Sequence, residues 1–584
     1  MNIRPSQRTP GMIQLPDGFV PFDRSGLERS VPELFEEQAA LSASHPALRS
    51  GPVCLSYARL NESAGQFARA LRTDPDAGDA VAILLRKDPQ WAASILGTLK
   101  AGKYYIPIDP AYPAERISSI LKHSGARLAI TSRSQPGGEE ILSASGARLV
   151  FTEDVGAGDT PGPFPDQAIG AGQTAAIFYT SGSTGTPKGV IHTHRSLLHS
   201  AMTRINHYGL NAADQISLLT PPGFAASQGV LLATLLCGGT LHLFDPQAEG
   251  LSRLARHIAK EQITVTVMTP SLLRNFLRAL APGEWFPDLR MLIATGEPLY
   301  REDVVRFWAH AGDHSVLVQQ YASTESFIMA FQGLPRGLKL PDGPVPAGFP
   351  AEDKELLIVD EAGRTVADGV PGEIVVRSPY LSPGYWRDDA ATQSVFRHEA
   401  DGTIVCRTGD QGQKLENGSI QHLGRGDGMV KVRGFRVELA EIDAALAALP
   451  EIREACTLAS LQPDGQVDLA AFYSRYQDAG PSRPADIRAA LAHRLPDFMR
   501  PHRLIELSDL PRGPLGKIDR PALQRRLDTP EKPPARLLKH RDILELQLRS
   551  IWERSLRKRN IGPDDDFFQL GGDSLAAARI FQLI

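Results

Sequence analysis

The stretch FYTSGSTGTPKGV, residues 178–190, follows an apolar run and sets Gly182, Gly185 and Gly189 among small hydroxyl side chains and a single lysine, Lys188. Glycine has no Cβ, so backbone N–H groups in such a loop can approach an anion closely. The hydroxyls of Thr180, Ser181, Ser183 and Thr184 add donors, and Lys188 adds a compact positive charge. A triphosphate suits that set of groups. The spacing is not that of a P-loop, because Pro187 stands where glycine would precede the lysine, and it is not a GxGxxG dinucleotide turn. Taken alone, the same composition also fits a flexible surface linker, so the rest of the chain must decide.

The elements that would position this loop belong to a long chain. Its 584 residues exceed what one hydrophobic core serves, which implies about two to four domains. With 42% hydrophobic residues, 22% charged residues and a formal net charge of −4, the composition gives no sign of a nucleic-acid partner. Cys54, Cys237, Cys406 and Cys456 lie far apart without CxxC pairing, which argues against a disulfide framework or a zinc site and fits a reducing cytoplasm. The start lacks a signal-peptide core, and the longest apolar runs, such as VLLATLLC at 230–237, are too short to span a bilayer.

From about residue 30 to 425, apolar runs (AVAILL, RLAIT, AAIFYT, RMLIAT, ELLIVD, GEIVV) alternate with helix-like stretches such as SVPELFEEQAALSA and LSRLARHIAKEQI, an α/β signature with mixed sheets. A smaller unit follows at about 428–525, where VKVRGFRVELAEIDAALAAL reads as a strand running into an amphipathic helix. Pro530, Pro533 and Pro534 among charges mark a stiff linker at 526–540. Beyond it, RDILELQLRSIWERSL places Leu544, Leu548, Ile551 and Ser555 or Leu556 on one helical face. No internal repeat is visible.

The glycine-rich stretch resembles the phosphate-loop signature of the adenylate-forming superfamily, and more narrowly that of nonribosomal peptide synthetase adenylation domains. Further motifs of that family stand in order: LSYARLN at 55, LKAGKYYIPIDPAYPAERI at 99, QQYASTE at 319, GEIVVRSPYLSPGYW at 372, RTGD at 407, GRGDGMVKVRGFRVELAEID at 424 and LPRGPLGKIDR at 510. The resemblance covers roughly residues 30–525. It implies an α/β adenylation core at 1–427, with several sheets, and a small α+β lid at 428–525. It also implies a reaction in which ATP, with Mg2+, activates a carboxylic acid as an acyl adenylate.

By the same resemblance, Lys517 in GPLGKIDR contacts both the α-phosphate and the acyl carboxylate, Asp410 in RTGD holds the ribose hydroxyls, and Arg425 assists at ribose and phosphates. Tyr321 is expected to stack on adenine, Thr324 to meet phosphate, and Glu325 to carry magnesium. The family usually has Gly-Pro after that tyrosine. Ala322 and Ser323 stand here instead, which puts the loop's backbone geometry in question. Asp427 corresponds to a hinge about which the small domain rotates, withdrawing Lys517 and presenting the segment around Gly434 to the acceptor thiol.

DDFFQLGGDSLAAARI resembles the phosphopantetheine attachment motif of a peptidyl or acyl carrier, at 541–584, with Ser574 as the modified residue. Asp573 can cap the next helix, whose N-terminus favours a phosphodiester. Ten residues follow Ser574, so the carrier bundle reads as incomplete, truncated at its C-terminus and marginally stable. The expected partners are a small carboxylic acid, a phosphopantetheinyl transferase and downstream synthetase domains or tailoring enzymes.

Amino-acid-activating members carry FDxS, whose aspartate pairs with the substrate α-ammonium. Here the stretch is PPGFAASQG, with Ala225 at the aspartate's place. A buried ammonium without a counter-charge is costly, so the pattern points to an acid lacking a free α-amino group. The resemblance places Phe224, Ala225, Ala226, Gly229, Val267, Ile293, Thr295, Gln320, Ile328 and Met329 around the acyl group. Residues 225, 226 and 229 are small enough to leave room for an aryl, keto or hydroxy acid, or an acyl chain. Three rivals remain: atypical ammonium recognition of an amino acid, an acyl-CoA ligase, and a silent scaffold. Lys188, Glu325, Asp410 and Lys517 argue against the scaffold.

Overall fold

The computed structural model describes residues 13–16, 18–72, 78–156, 168–182, 187–280, 283–340, 343–425, 429–462, 465–476, 483–512, 518–528, 543–556 and, beyond these, 558, 561–562, 565, 567, 570–572, 576–577 and 580. It divides into two compact units. The first takes in Met1–Ser181, Pro187–Met429 and Arg433–Phe435, and the second Gly182–Thr186, Val430–Val432 and Arg436–Ile584.

In the first unit, strand β1 (Thr174–Thr180) is buried over most of its length and pairs antiparallel with β2 (Lys188–Thr193), Thr180 facing Lys188. Tyr104–Ile108, Ala80–Leu84, Leu128–Thr131 and Arg148–Phe151 extend that sheet in parallel from β1. Helix α1 (His194–Tyr208) leaves β2 directly. Thr193 starts it, its hydroxyl accepting from the Ser196 N–H at 3.2 Å, and Gly209 stops it in a left-handed conformation at φ +57°. Helix α2 (Ala225–Leu236) is apolar nearly all round and lies in the core.

A second sheet joins β3 (Met291–Thr295), β4 (Val316–Ser323) and β5 (Phe327–Pro335), with Phe349–Pro350 on one side. Val265–Met268, Gln215–Leu218, Thr240–Leu243, Pro46–Ser50 and Val53–Ser56 follow on the other. Its parallel centre is covered on both faces, so its strands are continuous Val/Ile/Leu/Met runs. Period-2 alternation sends Val267, Ile293, Val318 and Phe331 to the core shared with α1 and α2, and Met268, Leu292, Ala294 and Leu317 to a separate core on the other face. A third sheet sets β6 (Ile404–Lys414) between Gly372–Ser378 on one side and β7 (Ile420–Arg425) and Phe396–His398 on the other.

In VKVRGFRVE the structure forms two strands, Met429–Val432 and Phe435–Glu438, where the sequence reading has one. Arg433 (φ +53°) and Gly434 (φ +83°) both take left-handed backbone, the condition for a tight hairpin turn of matching twist. The expected helix follows as Leu439–Ala447.

The second unit has its own sheet of Ile452–Leu461, Val467–Arg475 and Arg503–Glu506, packed through Cys456, Leu458, Phe472, Leu510 and Leu523. Farther along, Ile543–Leu556 is helical, and Trp552 meets Phe567 edge-on at 5.2 Å between ring centres. These α/β units, with the helix Ile543–Leu556 beyond them, are the fold class expected from the alternation of runs. Among the described residues, no helix is long and apolar enough to cross a membrane.

Candidate active site

The glycine-rich loop connects two paired strands, and its lysine comes to rest beside an aromatic ring. Lys188 Nζ lies 5.6 Å from the centre of the Tyr385 ring. Tyr385 is fixed there because residues 384–386 run along β2. The Trp386 N–H donates to the Gly189 carbonyl at 2.7 Å and the Ile191 N–H to the Gly384 carbonyl at 3.1 Å. Gly189 must be glycine at this crossing, since a Cβ would sit 2.8 Å from Ile177 Cγ2. The Tyr385 hydroxyl donates to Glu325 Oε1 at 3.0 Å, so Lys188, Tyr385 and the buried Glu325 carboxylate form one chain of contacts. Among the described residues the buried Thr180 hydroxyl has no hydrogen-bond partner, and Ser181 and Gly182 are buried. Ser183, Thr184 and Gly185 lie outside the described residues.

His192, fully buried on β2, donates from Nε2 to the Thr324 carbonyl at 2.8 Å. Burial pushes its imidazole down to about 4, which keeps the ring neutral at ordinary pH. That bond ties the loop after β4 to the hairpin of β1 and β2 that carries Lys188. Between Tyr321 and Ala322 the register of β4 against β5 shifts, and Phe327 re-enters β5 at φ +55°. Ala322 and Ser323, the departure from Gly-Pro, therefore sit at a bulge that aims Tyr321 and Glu325 separately.

Asp410 brings the next group together. In RTGD, Thr408 Oγ1 donates to the Ile374 carbonyl at 2.6 Å and accepts from the Asp410 N–H at 3.1 Å, which fixes the aspartate's backbone. Asp410 is 2% exposed. Its Oδ2 accepts from the Tyr321 hydroxyl and its Oδ1 from Arg425 Nη1, the latter at 2.7 Å, with His422 Nε2 3.6 Å away. Arg425 reaches it because β6 and β7 pair Asp410 with Arg425 in register. Burial, then the adjacent Asp410 charge, hold the Tyr321 hydroxyl well above its ordinary titration range.

At the expected acyl pocket, Ser227 and Gln228 lock the start of α2 to the preceding prolines. Ser227 Oγ donates to the Pro221 carbonyl at 2.5 Å and Gln228 Nε2 to the Pro222 carbonyl at 2.9 Å. Ala225 and Ala226, one turn before Gly229, are half-buried, and the Phe224 ring meets Phe435 edge-on at 4.5 Å. Val267, Ile293 and Ile328 join one apolar core, whereas Met329 is buried in another with Tyr321, Val190 and Tyr385. Thr295 and Gln320 pair across β3 and β4. Gln320 Nε2 donates to Thr295 Oγ1 at 3.0 Å and its Oε1 accepts from the Tyr208 hydroxyl at 2.7 Å.

Three residues absent from the sequence-based set stand in these groups: Tyr385, Tyr208 and Arg204. Tyr385 belongs to the SPGYW motif without a role read from it. Arg204 and Tyr208, on α1, are buried, and the space beside Gly229 that a larger side chain would fill holds the Arg204 guanidinium. The sequence signal for them is a cation in helical phase with the buried Leu197, Ala201 and Tyr208. Asp427, Lys517 and Ser574 lie outside the described residues.

A carboxylate linked through one tyrosine to a lysine fits magnesium of the kind shared with substrate phosphates, which draws few ligands from protein. Among the described residues, no cluster of three or more acidic, histidine or cysteine side chains could hold a metal alone.

Residues 35–386 match the family model of AMP-binding enzymes, and residues 547–584 that of the phosphopantetheine attachment site. Among curated proteins, tyrocidine synthase 3 of Brevibacillus parabrevis is 32% identical over 573 residues, 96% of this chain and 9% of that protein. Bacitracin synthase 1 of Bacillus licheniformis is 33% identical over 570 residues, 95% of this chain and 10% of that protein. The chain thus spans only a small part of these relatives' length. Among solved structures, holo-PA1221, an NRPS protein containing adenylation and PCP domains, aligns with TM-score 0.77 at 26% identity, covering 94% of this chain and 91% of that one. NpsA-ThdA, an artificially fused adenylation-PCP di-domain from Klebsiella oxytoca, aligns with TM-score 0.73 at 24% identity, covering 82% of this chain and 93% of that one. Adenylation domains use ATP with Mg2+, and the attachment site carries 4′-phosphopantetheine. The chain belongs to the AMP-binding enzyme family, joined in one polypeptide to a phosphopantetheine attachment site.

Proposed function

We propose that this chain activates a carboxylic acid lacking a free α-amino group and loads it onto the phosphopantetheine arm of its own Ser574, within a nonribosomal peptide pathway. In the first half-reaction a carboxylate oxygen attacks the α-phosphorus of ATP, the α–β phosphoanhydride bond breaks, and pyrophosphate leaves. In the second the arm's thiol attacks the acyl carbon, loses its proton, and AMP departs. The first step brings an anion to an anion, so positioning and positive charge supply most of the acceleration.

Lys188 and the hydroxyls of Thr180 and Ser181 would grip the departing phosphates, with Ser183 and Thr184 beside them. Glu325 would hold Mg2+, which neutralises phosphate charge. Asp410, Arg425 and Tyr321 would seat the nucleoside, and Thr324 would meet phosphate. Lys517 would serve the α-phosphate and carboxylate, and rotation at Asp427 would replace it with the segment around Gly434. The domain limits that suit this cycle are 1–427, 428–525, 526–540 and 541–584. A phosphopantetheinyl transferase and downstream synthetase or tailoring enzymes would be its partners, in the cytoplasm.

The observation that carries the substrate reading is Ala225, at the start of a buried helix where an aspartate would pair with an ammonium. ATP–pyrophosphate exchange across paired acids, each with and without an α-amino group, tests it. Exchange with the deaminated members supports the reading, and exchange confined to L-α-amino acids overturns it.

A further inference from the structure

Several arginines of the first unit with little exposure meet carboxylates. Arg274 contacts Asp303 at 2.8 Å, Arg290 contacts Asp214 at 2.7 Å, and Arg425 contacts Asp410 at 2.7 Å. Arg204 differs. Its side chain on α1 is 5% exposed, and its Nη1 donates to the Ser200 carbonyl at 3.2 Å and to Ser200 Oγ at 2.6 Å. Among the described residues no acidic side chain pairs with it, and its Nε and Nη2 make no hydrogen bond. Burial lowers its pKa only to about 10, so the guanidinium stays charged at neutral pH. An unpaired charge in the interior is costly, and natural cores do not keep one without a counterpart.

Room has been made for this charge. A Cβ on Gly229 would stand 2.7 Å from Arg204 Cζ and 2.8 Å from each Nη, so glycine at 229 lets the guanidinium lie flat against α2. One turn along α1, the Tyr208 hydroxyl bonds Gln320, which bonds Thr295. Arg204 therefore lies against one residue of the expected acyl pocket, Gly229, and one helical turn before Tyr208, which bonds a second, Gln320. Its Nε–H and Nη2–H are parallel donors, the edge of a guanidinium that matches a carboxylate in bidentate fashion. Ala225, one turn before Gly229 on α2, removes the negative charge that an α-ammonium would need. A cation against Gly229 with no acidic partner among the described residues favours a negatively charged ligand group.

We infer that the acid taken by this pocket carries a second carboxylate, remote from the one that is activated, and that Arg204 pairs with it. This rests on the reading of Gly229, Thr295 and Gln320 as acyl-pocket residues. Arg204 is then a specificity-determining residue, and the substrate class is dicarboxylic.

The test is ATP–pyrophosphate exchange by the full chain over a two-by-two panel: acids with or without an α-amino group, each with a distal carboxylate or its methyl ester. The wild type should prefer the free distal carboxylate by about 10- to 100-fold in kcat/KM. Arg204→Met should erase that preference while leaving exchange with the esters, and Arg204→Lys should retain part of it. Equal use of diacids and their esters by the wild type overturns the inference, as does a diacid preference that survives in a folded Arg204→Met protein. If Arg204→Met fails to fold, the wild-type preference decides alone. The α-amino axis reads the function proposed above separately: preference for amino diacids over the same diacids without the α-amino group would sink that reading and keep this inference. No exchange in any arm contradicts both.

Discussion

The Tyr321 hydroxyl donates to Asp410 Oδ2, and this bond joins a residue of the second sheet to one of the third across 89 positions of sequence. With Arg425 on the other oxygen, both sides of a buried carboxylate are engaged. Tyr321→Phe keeps the ring and removes one donor to the buried carboxylate, so it should cost about 1–3 kcal/mol of stability. Asp410→Asn also strips Arg425 of its counter-charge and should destabilise more, with a larger rise in the KM for ATP. Denaturant unfolding and ATP titrations of the two variants check that order; a silent Asp410→Asn would contradict it.

Glu325 and Tyr385 should separate by magnitude. Glu325→Gln removes the anionic oxygen proposed to carry Mg2+, and exchange should fall roughly 10- to 100-fold, with more Mg2+ needed for half-maximal rate. Tyr385→Phe only frees the carboxylate to shift, so its loss should stay below about tenfold. A magnesium titration distinguishes the two, since only Glu325→Gln should move the midpoint.

The histidines set an acid limit. His192 and His194 are buried, and burial holds each at about 4 in the folded chain, below the ordinary 6.5. The unfolded chain thus binds more protons between those values, so stability is full above about pH 6.5 and is lost as pH falls toward 4, at about 1.4 kcal/mol per unit for each such group. Urea unfolding at stepped pH should show that slope, and His192→Gln should lower it by one group's share. A stability independent of pH in this window would rule the account out.

Gly229 and Arg204 should be energetically coupled. Gly229→Ala pushes a methyl group into the guanidinium and should cost about 1–3 kcal/mol. In the Arg204→Ala background the same change should cost much less, because the colliding group is gone. Melting of the four proteins of this cycle gives the coupling, and additive effects would mean the contact is not formed.

Much of this was legible in the sequence because the family motifs are local. AVAILL, RLAIT, AAIFYT and RMLIAT become the strands Ala80–Leu84, Leu128–Thr131, Thr174–Thr180 and Met291–Thr295, since continuous apolar runs are what a sheet covered on both faces requires. Glu325, Tyr321 and Asp410 were recognisable one by one. What joins them was not: Tyr385 reaches Glu325 only because residues 384–386 lie along the strand of Lys188, a pairing with no signature in either segment. Arg204 escaped for a different reason. A charged residue on a helix is ordinarily solvated; its phase with Leu197, Ala201 and Tyr208 marks a buried face, and the glycine packed against it from α2 shows that it stays there.

Whether this chain activates an acid without an α-amino group and keeps it on its own arm is tested most directly by intact-mass measurement. The phosphopantetheinylated protein is incubated with ATP, Mg2+ and one acid at a time. The expected result is a mass gain equal to the acyl group for an acid lacking the α-amino function, abolished in Ser574→Ala. Loading confined to L-α-amino acids, or acylation of free coenzyme A with the arm left bare, would contradict it.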